Sequence, residues 1–270
     1  MLIVDAQVHI WGPNTPEYPW VPGRKPHRPV PFSKDDLLRE MDTAGVQRAV
    51  LVPPSLQGKR NDLVLEAARL HPDRFAAMGL FDFKAPGARE RIATWRQQPG
   101  MLGLRYSFNT QEDAAEDCLW AEAEKAHLPV MMMAFNRLHI VEELARGHPG
   151  LKLVLDHLAI PADKKDDEAF AHLDQLLALA KQPNVAAKAS SLPSHTTDSY
   201  PFRRLHPYIR RVYDAFGPKR VFWGTDLSRL PCPYRQAVTM FTEEIPWLSA
   251  EDKEWIMGRG LCEWIGWKLP

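Results

Sequence analysis

The chain has no excess charge of either sign: 34 Lys and Arg balance 34 Asp and Glu in 270 residues. Nucleic-acid-binding domains ordinarily show a basic excess, and anionic membranes attract polybasic segments. Neither partner is expected. Cysteine is scarce, with Cys118, Cys232 and Cys262 forming an odd, widely spaced set. There is no CxxC pair, so neither a disulfide framework nor a structural zinc scaffold is expected. A reduced, cytoplasmic setting is. No apolar run approaches the roughly 18 residues of a membrane span. The opening residues Met1-Leu2-Ile3-Val4-Asp5 lack the basic start of a secretory signal. No glycine-rich turn follows the first apolar run, where His9-Ile10-Trp11-Gly12 stands, and no P-loop occurs. The GxSxG element of serine hydrolases is missing too.

Proline is abundant. There are 24 in the chain, where about 5% of residues would be usual. The densest group runs from Pro13 to Pro31 and includes Tyr18 and Trp20. A long loop of this kind inside a compact domain is often functional. Elsewhere, short apolar runs alternate with helix-like stretches. Strands are expected at Leu2–Val8, Gln47–Val52, Phe75–Leu80, Leu102–Tyr106, Pro129–Met133, Leu151–Leu155, Asn184–Ala189 and Arg220–Trp223. Helical patterns follow each of them, among them Glu112–Ala126, Asp167–Ala180, Phe202–Phe216 and the closing Asp252–Ile265. Ser33-Lys34-Asp35-Asp36 reads as a capping box. Eight strand–helix units in a chain of this length predict an α/β fold, a (β/α)8 TIM barrel. The expectation is one domain over 1–270 with a C-terminal helical extension.

In such a barrel the active site is built at the C-terminal ends of the strands. Here those ends carry Gln7 and His9, Arg105, Asp156 and His157, Lys188, and Thr225 and Asp226. Each has an ordinary explanation by itself. A histidine after a strand can be a hydrogen-bonded structural residue, and Arg105 and Lys188 can pair in an ion network. Their convergence on one mouth favours a site, because buried charges must pair with each other, a metal or a ligand.

The same residues resemble a known family. Ile3-Val4-Asp5-Ala6-Gln7-Val8-His9, Leu155-Asp156-His157 and Phe222-Trp223-Gly224-Thr225-Asp226 are similar to marker segments of the amidohydrolase superfamily, amidohydrolase-related family 2. The similarity is greatest to its lactonase branch, that of 2-pyrone-4,6-dicarboxylate and sugar-acid lactonases. The resemblance implies that His9 stands for the second histidine of a His-x-His motif whose first is replaced by Gln7. It implies that His157 is the strand-six histidine and that Asp226 is the strand-eight aspartate handling the water proton. Arg105 would contact an anionic substrate group. It occupies the place of a bridging lysine and so argues against a two-metal centre. His9, His157 and Asp226 could hold one divalent ion such as zinc, yet members of this branch also work without metal. Both states stay open.

The expected chemistry is hydrolysis of a small carboxylated or sugar-derived lactone. Asp226 would act as base, with His9, His157 and Gln7 donating hydrogen bonds to the carbonyl oxygen. Arg105 and Lys188 would hold a substrate carboxylate. Trp11, Trp20, Ser55, Tyr106, Met133 and His195 are further candidates for substrate contact. A metal-dependent decarboxylase or C–N hydrolase of the same superfamily, and a barrel that only binds a ligand or partner, are the alternatives. A homo-oligomer is possible.

Overall fold

The computed structural model describes residues 1–108 and 117–270. Eight strands run as β1 Val4–Val8, β2 Arg48–Leu51, β3 Phe75–Leu80, β4 Met101–Ser107, β5 Val130–Met133, β6 Leu153–Leu155, β7 Val185–Ala189 and β8 Val221–Trp223. All neighbours are parallel and paired in chain order. With helices between them, this is a (β/α)8 TIM barrel in a single domain.

The seam between β8 and β1 is held by Asp5. Its carboxylate accepts from the Thr225 amide at 2.9 Å, the Thr225 hydroxyl at 2.5 Å, the Tyr234 hydroxyl at 2.7 Å and the Gln7 amide at 3.0 Å. The Asp226 amide also donates to the Gln7 carbonyl at 3.0 Å. Gly224 allows this approach, since a Cβ there would lie 3.1 Å from Ala6.

Apolar residues fill two layers. The larger lies between strands and helices and includes Leu37, Met41, Leu51, Val141 and Trp223. The smaller fills the barrel interior with Val4, Ala6, Val50, Met78, Met131, Val154 and Phe222. The C-terminal segment packs onto this inner layer through Leu261, Cys262, Ile265 and Trp267. Trp255 and Trp267 are buried, so much of the tryptophan-rich C-terminus docks on its own barrel.

Ser33 caps the helix Lys34–Ala44 with the expected reciprocal bonds to Asp36, and Gly45 ends it in the left-handed region. Some helices depart from expectation. Asp167–Ala180 breaks into Asp166–Ala169 and Leu173–Ala178. At the break Phe170 stacks on Tyr208 at 3.9 Å, and His172 bonds the Leu158 carbonyl at 2.8 Å. The helix expected from Phe202 starts at His206, after a 3-10 turn. The closing helix contains a π turn at Trp255–Arg259, where Gly258 lies against β1. Within the stretch expected as Glu112–Ala126, a helix runs from Asp117 to Lys125, and residues 112–116 lie outside the described residues.

Candidate active site

Strand β1 changes face midway. Asp5 pairs with Ala49 but Val8 with Leu51, so three steps on β1 match two on β2. This bulge reverses the in–out alternation. Val4 and Ala6 point to the inner apolar layer, while Gln7 and His9 line the cavity above it. The tips of β6, β7 and β8 are turned by left-handed backbone at His157 (φ 52°), Ser191 (φ 61°) and Asp226 (φ 51°). Non-glycine residues adopt this region at a cost of about 1–3 kcal/mol each, which is characteristic of functional sites.

Beneath these tips lies a buried ion layer. Asp156 is fully buried, with Arg105 Nη2 at 2.9 Å from one oxygen and Lys188 Nζ at 2.7 Å from the other. Burial opposes ionisation of Asp156, but Arg105 and Lys188 overcome it and hold the carboxyl at about 2. Burial pulls Lys188 down to about 8, so it remains charged at neutral pH. Arg105 also donates to the Tyr106 carbonyl. The two cations expected to meet a substrate carboxylate thus serve Asp156 first. Lys188 has no exposed surface and does not line the cavity; Arg105 does.

The hydrogen bonds assign the protons. Lys188 Nζ lies 2.8 Å from Gln7 Oε1. An ammonium only donates, so the amide must turn its NH2 the other way. Gln7 Nε2 is 3.1 Å from His157 Nε2, which therefore accepts. The proton of His157 sits on Nδ1, 2.8 Å from Ser190 Oγ. His9 Nδ1 lies 2.6 Å from the Val52 carbonyl, which only accepts, so the His9 proton is also on Nδ1. Burial pushes both histidines down to about 4. Both are neutral at physiological pH, and each has an Nε2 lone pair in place of the N–H expected to meet a carbonyl oxygen.

Asp226 stands opposite. Its Oδ1 is buried without a hydrogen-bond donor among the described residues and lies 3.3 Å from His9 Nε2. Its Oδ2 is 3.5 Å from Arg229 Nε and 3.9 Å from His157 Nε2. Two acceptors, His9 Nε2 and Asp226 Oδ1, thus face each other. A water beside them can give one proton to each and keep a lone pair for attack.

The cavity above has a volume of about 730 Å³. Among the sequence candidates, Trp11, Ser55, Met133 and His195 line it together with Gln7, His9, Arg105, His157 and Asp226. The Trp11 indole N–H is buried with no partner among the described residues. Besides Lys188, two further candidates fall elsewhere. Trp20 ties its own loop through the Gly12 carbonyl at 3.2 Å. Tyr106 packs edge-on against Phe83, Phe108 and Trp120. Tyr18, in the same loop as Trp20, stacks under Arg60 at the surface.

Sequence reasoning missed Lys25, His27, Ser228 and Arg229, which also line the cavity. His27 bonds Ser228 Oγ at 2.8 Å and receives Arg229 Nε at 3.0 Å, so the proline-rich loop is strapped to the loop after β8. Its only signal in the sequence was the density of prolines around it. Lys25, Arg105 and Arg229 face a single carboxylate, Asp226, across the described lining, and the histidines beside them are neutral. The pocket is therefore cationic although the chain as a whole is not.

The donor set also bears on a metal. A catalytic zinc commonly takes three protein ligands. A cation between His9 and Asp226 would meet two free donors, because the His157 Nε2 lone pair is engaged by Gln7. Among the described residues no group of three or more His, Cys, Asp or Glu is disposed to hold an ion. The residues do not fit a three-ligand centre.

Known proteins share this scaffold. The chain is 29% identical over 238 residues to an L-fucono-1,5-lactonase of Burkholderia ambifaria, covering 84% of this chain and 81% of that one. It is 26% identical over 234 residues to a 4-sulfomuconolactone hydrolase of Hydrogenophaga intermedia, covering 82% and 73%. A crystal structure of a Burkholderia multivorans amidohydrolase with bound zinc superposes with a TM-score of 0.80 at 23% identity, covering both chains fully. The family match, to Amidohydrolase, runs over residues 4–259 and takes in every strand of the barrel. A match of that extent leaves one assignment: the chain belongs to the amidohydrolase family.

Proposed function

We propose that the protein is a hydrolase that opens a small lactone by direct attack of water. The observation that carries this reading is the facing pair His9 Nε2 and Asp226 Oδ1, 3.3 Å apart, with no donor to Oδ1 among the described residues. The lactone-hydrolysing relatives point the same way. Water held there gives one hydrogen to the imidazole and one to the carboxylate. Its oxygen attacks the lactone carbonyl as Asp226 takes the proton. The tetrahedral intermediate collapses, the ring C–O bond breaks, and Asp226 returns the proton to the leaving alkoxide. The product is a hydroxy acid, which releases a proton at neutral pH.

The substrate class follows from the lining charge. Lys25, Arg105 and Arg229 favour a lactone with an anionic substituent, a carboxylate or sulfonate, over a neutral sugar lactone. Trp11 supplies an N–H without a partner among the described residues and an apolar face for the ring.

Acid release tests this reading. Purified protein is incubated with carboxylated, sulfonated and neutral sugar lactones in weak buffer with a pH indicator. Turnover is expected, fastest on the anionic members. Acid release no faster than in the protein-free control, across the whole panel, would sink the reading.

A further inference from the structure

The proton assignment leaves an unfilled role. Lactone opening places negative charge on the carbonyl oxygen, and preorganised donors at that point are commonly the largest catalytic term. Neither histidine can fill it, since each presents a lone pair at Nε2. A lone-pair acceptor beside a forming oxyanion repels it. The role is open to a side chain next to the water position that has a free N–H.

Gln7 is that side chain. It is buried, lines the cavity, and lies two residues before His9 on the same side of β1. Its backbone carbonyl takes the Asp226 amide at 3.0 Å, so it sits beside the proposed base. The amide nitrogen has two hydrogens. One goes to His157 Nε2 at 3.1 Å, and no described residue takes the other. An isolated amide could turn and present its oxygen instead. Here Lys188 forbids this, with Nζ 2.8 Å from Oε1 and 2.7 Å from Asp156, and with no access to solvent. A reversed amide would aim NH2 at the Lys188 ammonium, a repulsive contact in a dry site that no change of histidine tautomer relieves.

We propose that Gln7 is a catalytic residue whose free amide N–H stabilises the lactone oxyanion, and that Lys188, anchored by Asp156, is the positioning residue that keeps that N–H facing the pocket. The buried lysine thus works through the amide and does not touch the substrate. The proposal rests on the hydrolase reading above.

The test uses the lactone that the intact protein turns over best. Steady-state kinetics are measured for Q7A, Q7E, K188M and the Q7A/K188M pair, with ¹⁵N NMR of the histidine side chains. Loss of one oxyanion donor is expected to lower kcat of Q7A about a hundredfold to a thousandfold, with KM little changed. If Lys188 acts only through Gln7, the double variant is no slower than Q7A; independent roles make the losses multiply. Multiplying losses, or near-native kcat in Q7A, overturn the proposal. Should K188M fail to fold because Asp156 loses a partner, Q7E still decides. It keeps an acceptor for Lys188 but has no N–H, so it is expected to fold and to be at least as slow as Q7A. Near-native kcat in Q7E is decisive against the proposal. The NMR arm needs no substrate: a His157 proton on Nε2 in the unmodified protein overturns the amide assignment directly. Absence of any lactone turnover would overturn the hydrolase reading and this one with it, whereas turnover retained without Gln7 overturns this one alone.

Discussion

At Asp226 one carboxylate oxygen is left in a buried pocket without a donor among the described residues, and the His9 Nε2 lone pair faces it. A buried acceptor without a donor is costly, and that cost is tolerated where a reactant supplies the missing proton. The D226N amide keeps size and shape but accepts no proton. It is expected to lower kcat by about 10²–10⁴, the usual worth of positioned proton transfer. Circular dichroism and the thermal midpoint should stay near those of the unmodified protein, which separates lost chemistry from lost fold. Near-native turnover in folded D226N would reject Asp226 as the base. Strand-end position and the resemblance of Phe222-Trp223-Gly224-Thr225-Asp226 to a family segment both marked this aspartate in the sequence. The direction in which each histidine faces its proton was not readable, because Lys188 and Gln7 are 181 positions apart and Gln7 and His157 are 150 apart.

Two of the contacts that hold β1 can be tested singly. Tyr234 donates to Asp5 across the β8 seam at 2.7 Å. Y234F removes one donor from a buried carboxyl and is expected to cost about 1–3 kcal/mol, read as a shift in the urea midpoint. On the other side Gly258, in the π turn, lies against the start of β1. A Cβ there would stand 2.7 Å from the Leu2 carbonyl and 2.8 Å from Val4. Backbone cannot yield as a flexible side chain can, so G258A is expected to destabilise by about 1–3 kcal/mol through overpacking. An unchanged midpoint would show that the turn moves freely. The strands were legible in the sequence because parallel strands buried on both faces are short continuous apolar runs. The bulge in β1 was not legible. A period-two reading assumes an unbroken strand, and one extra residue reverses every side chain beyond it.

Over the whole molecule, balanced charge conceals a cationic mouth. Anionic lactones should be drawn in by Lys25, Arg105 and Arg229, so their kcat/KM should fall as salt screens the field, while neutral lactones change little. R229Q should shrink that difference. Equal salt dependence for both classes would argue against steering. Acid stability follows from burial. His9, His27 and His157 are pushed down to about 4 by burial from an ordinary 6.5. Between pH 6.5 and 4 the unfolded chain takes up protons that the folded protein does not. Stability from these groups is therefore lost as pH falls through that window. Asp5 acts oppositely, because burial raises it from 3.8 to about 6. Its contribution is present below 3.8 and is lost as pH rises through about 6. Three groups outweigh one, so the thermal midpoint should be lower at about pH 4.5 than at about pH 7, and D5N should steepen that drop. A midpoint that rises on acidification would contradict the neutral histidines.

The sequence by itself determined the architecture and the address of the candidate site. Eight apolar runs separated by amphipathic stretches bury their faces as parallel strands covered by helices, and in a barrel the polar residues at the runs' ends meet at one mouth. Tertiary structure decided the chemistry within that address. It buried Lys188 against Asp156 and made it a partner of Gln7. It brought Lys25, His27 and Arg229 in from loops that carry no periodic signal. It set the histidine protons by which groups lie opposite them. Periodicity along a chain reports which face is apolar. Charge pairing and proton position depend on distances of about 3 Å between residues far apart in sequence, and only the closed barrel fixes those.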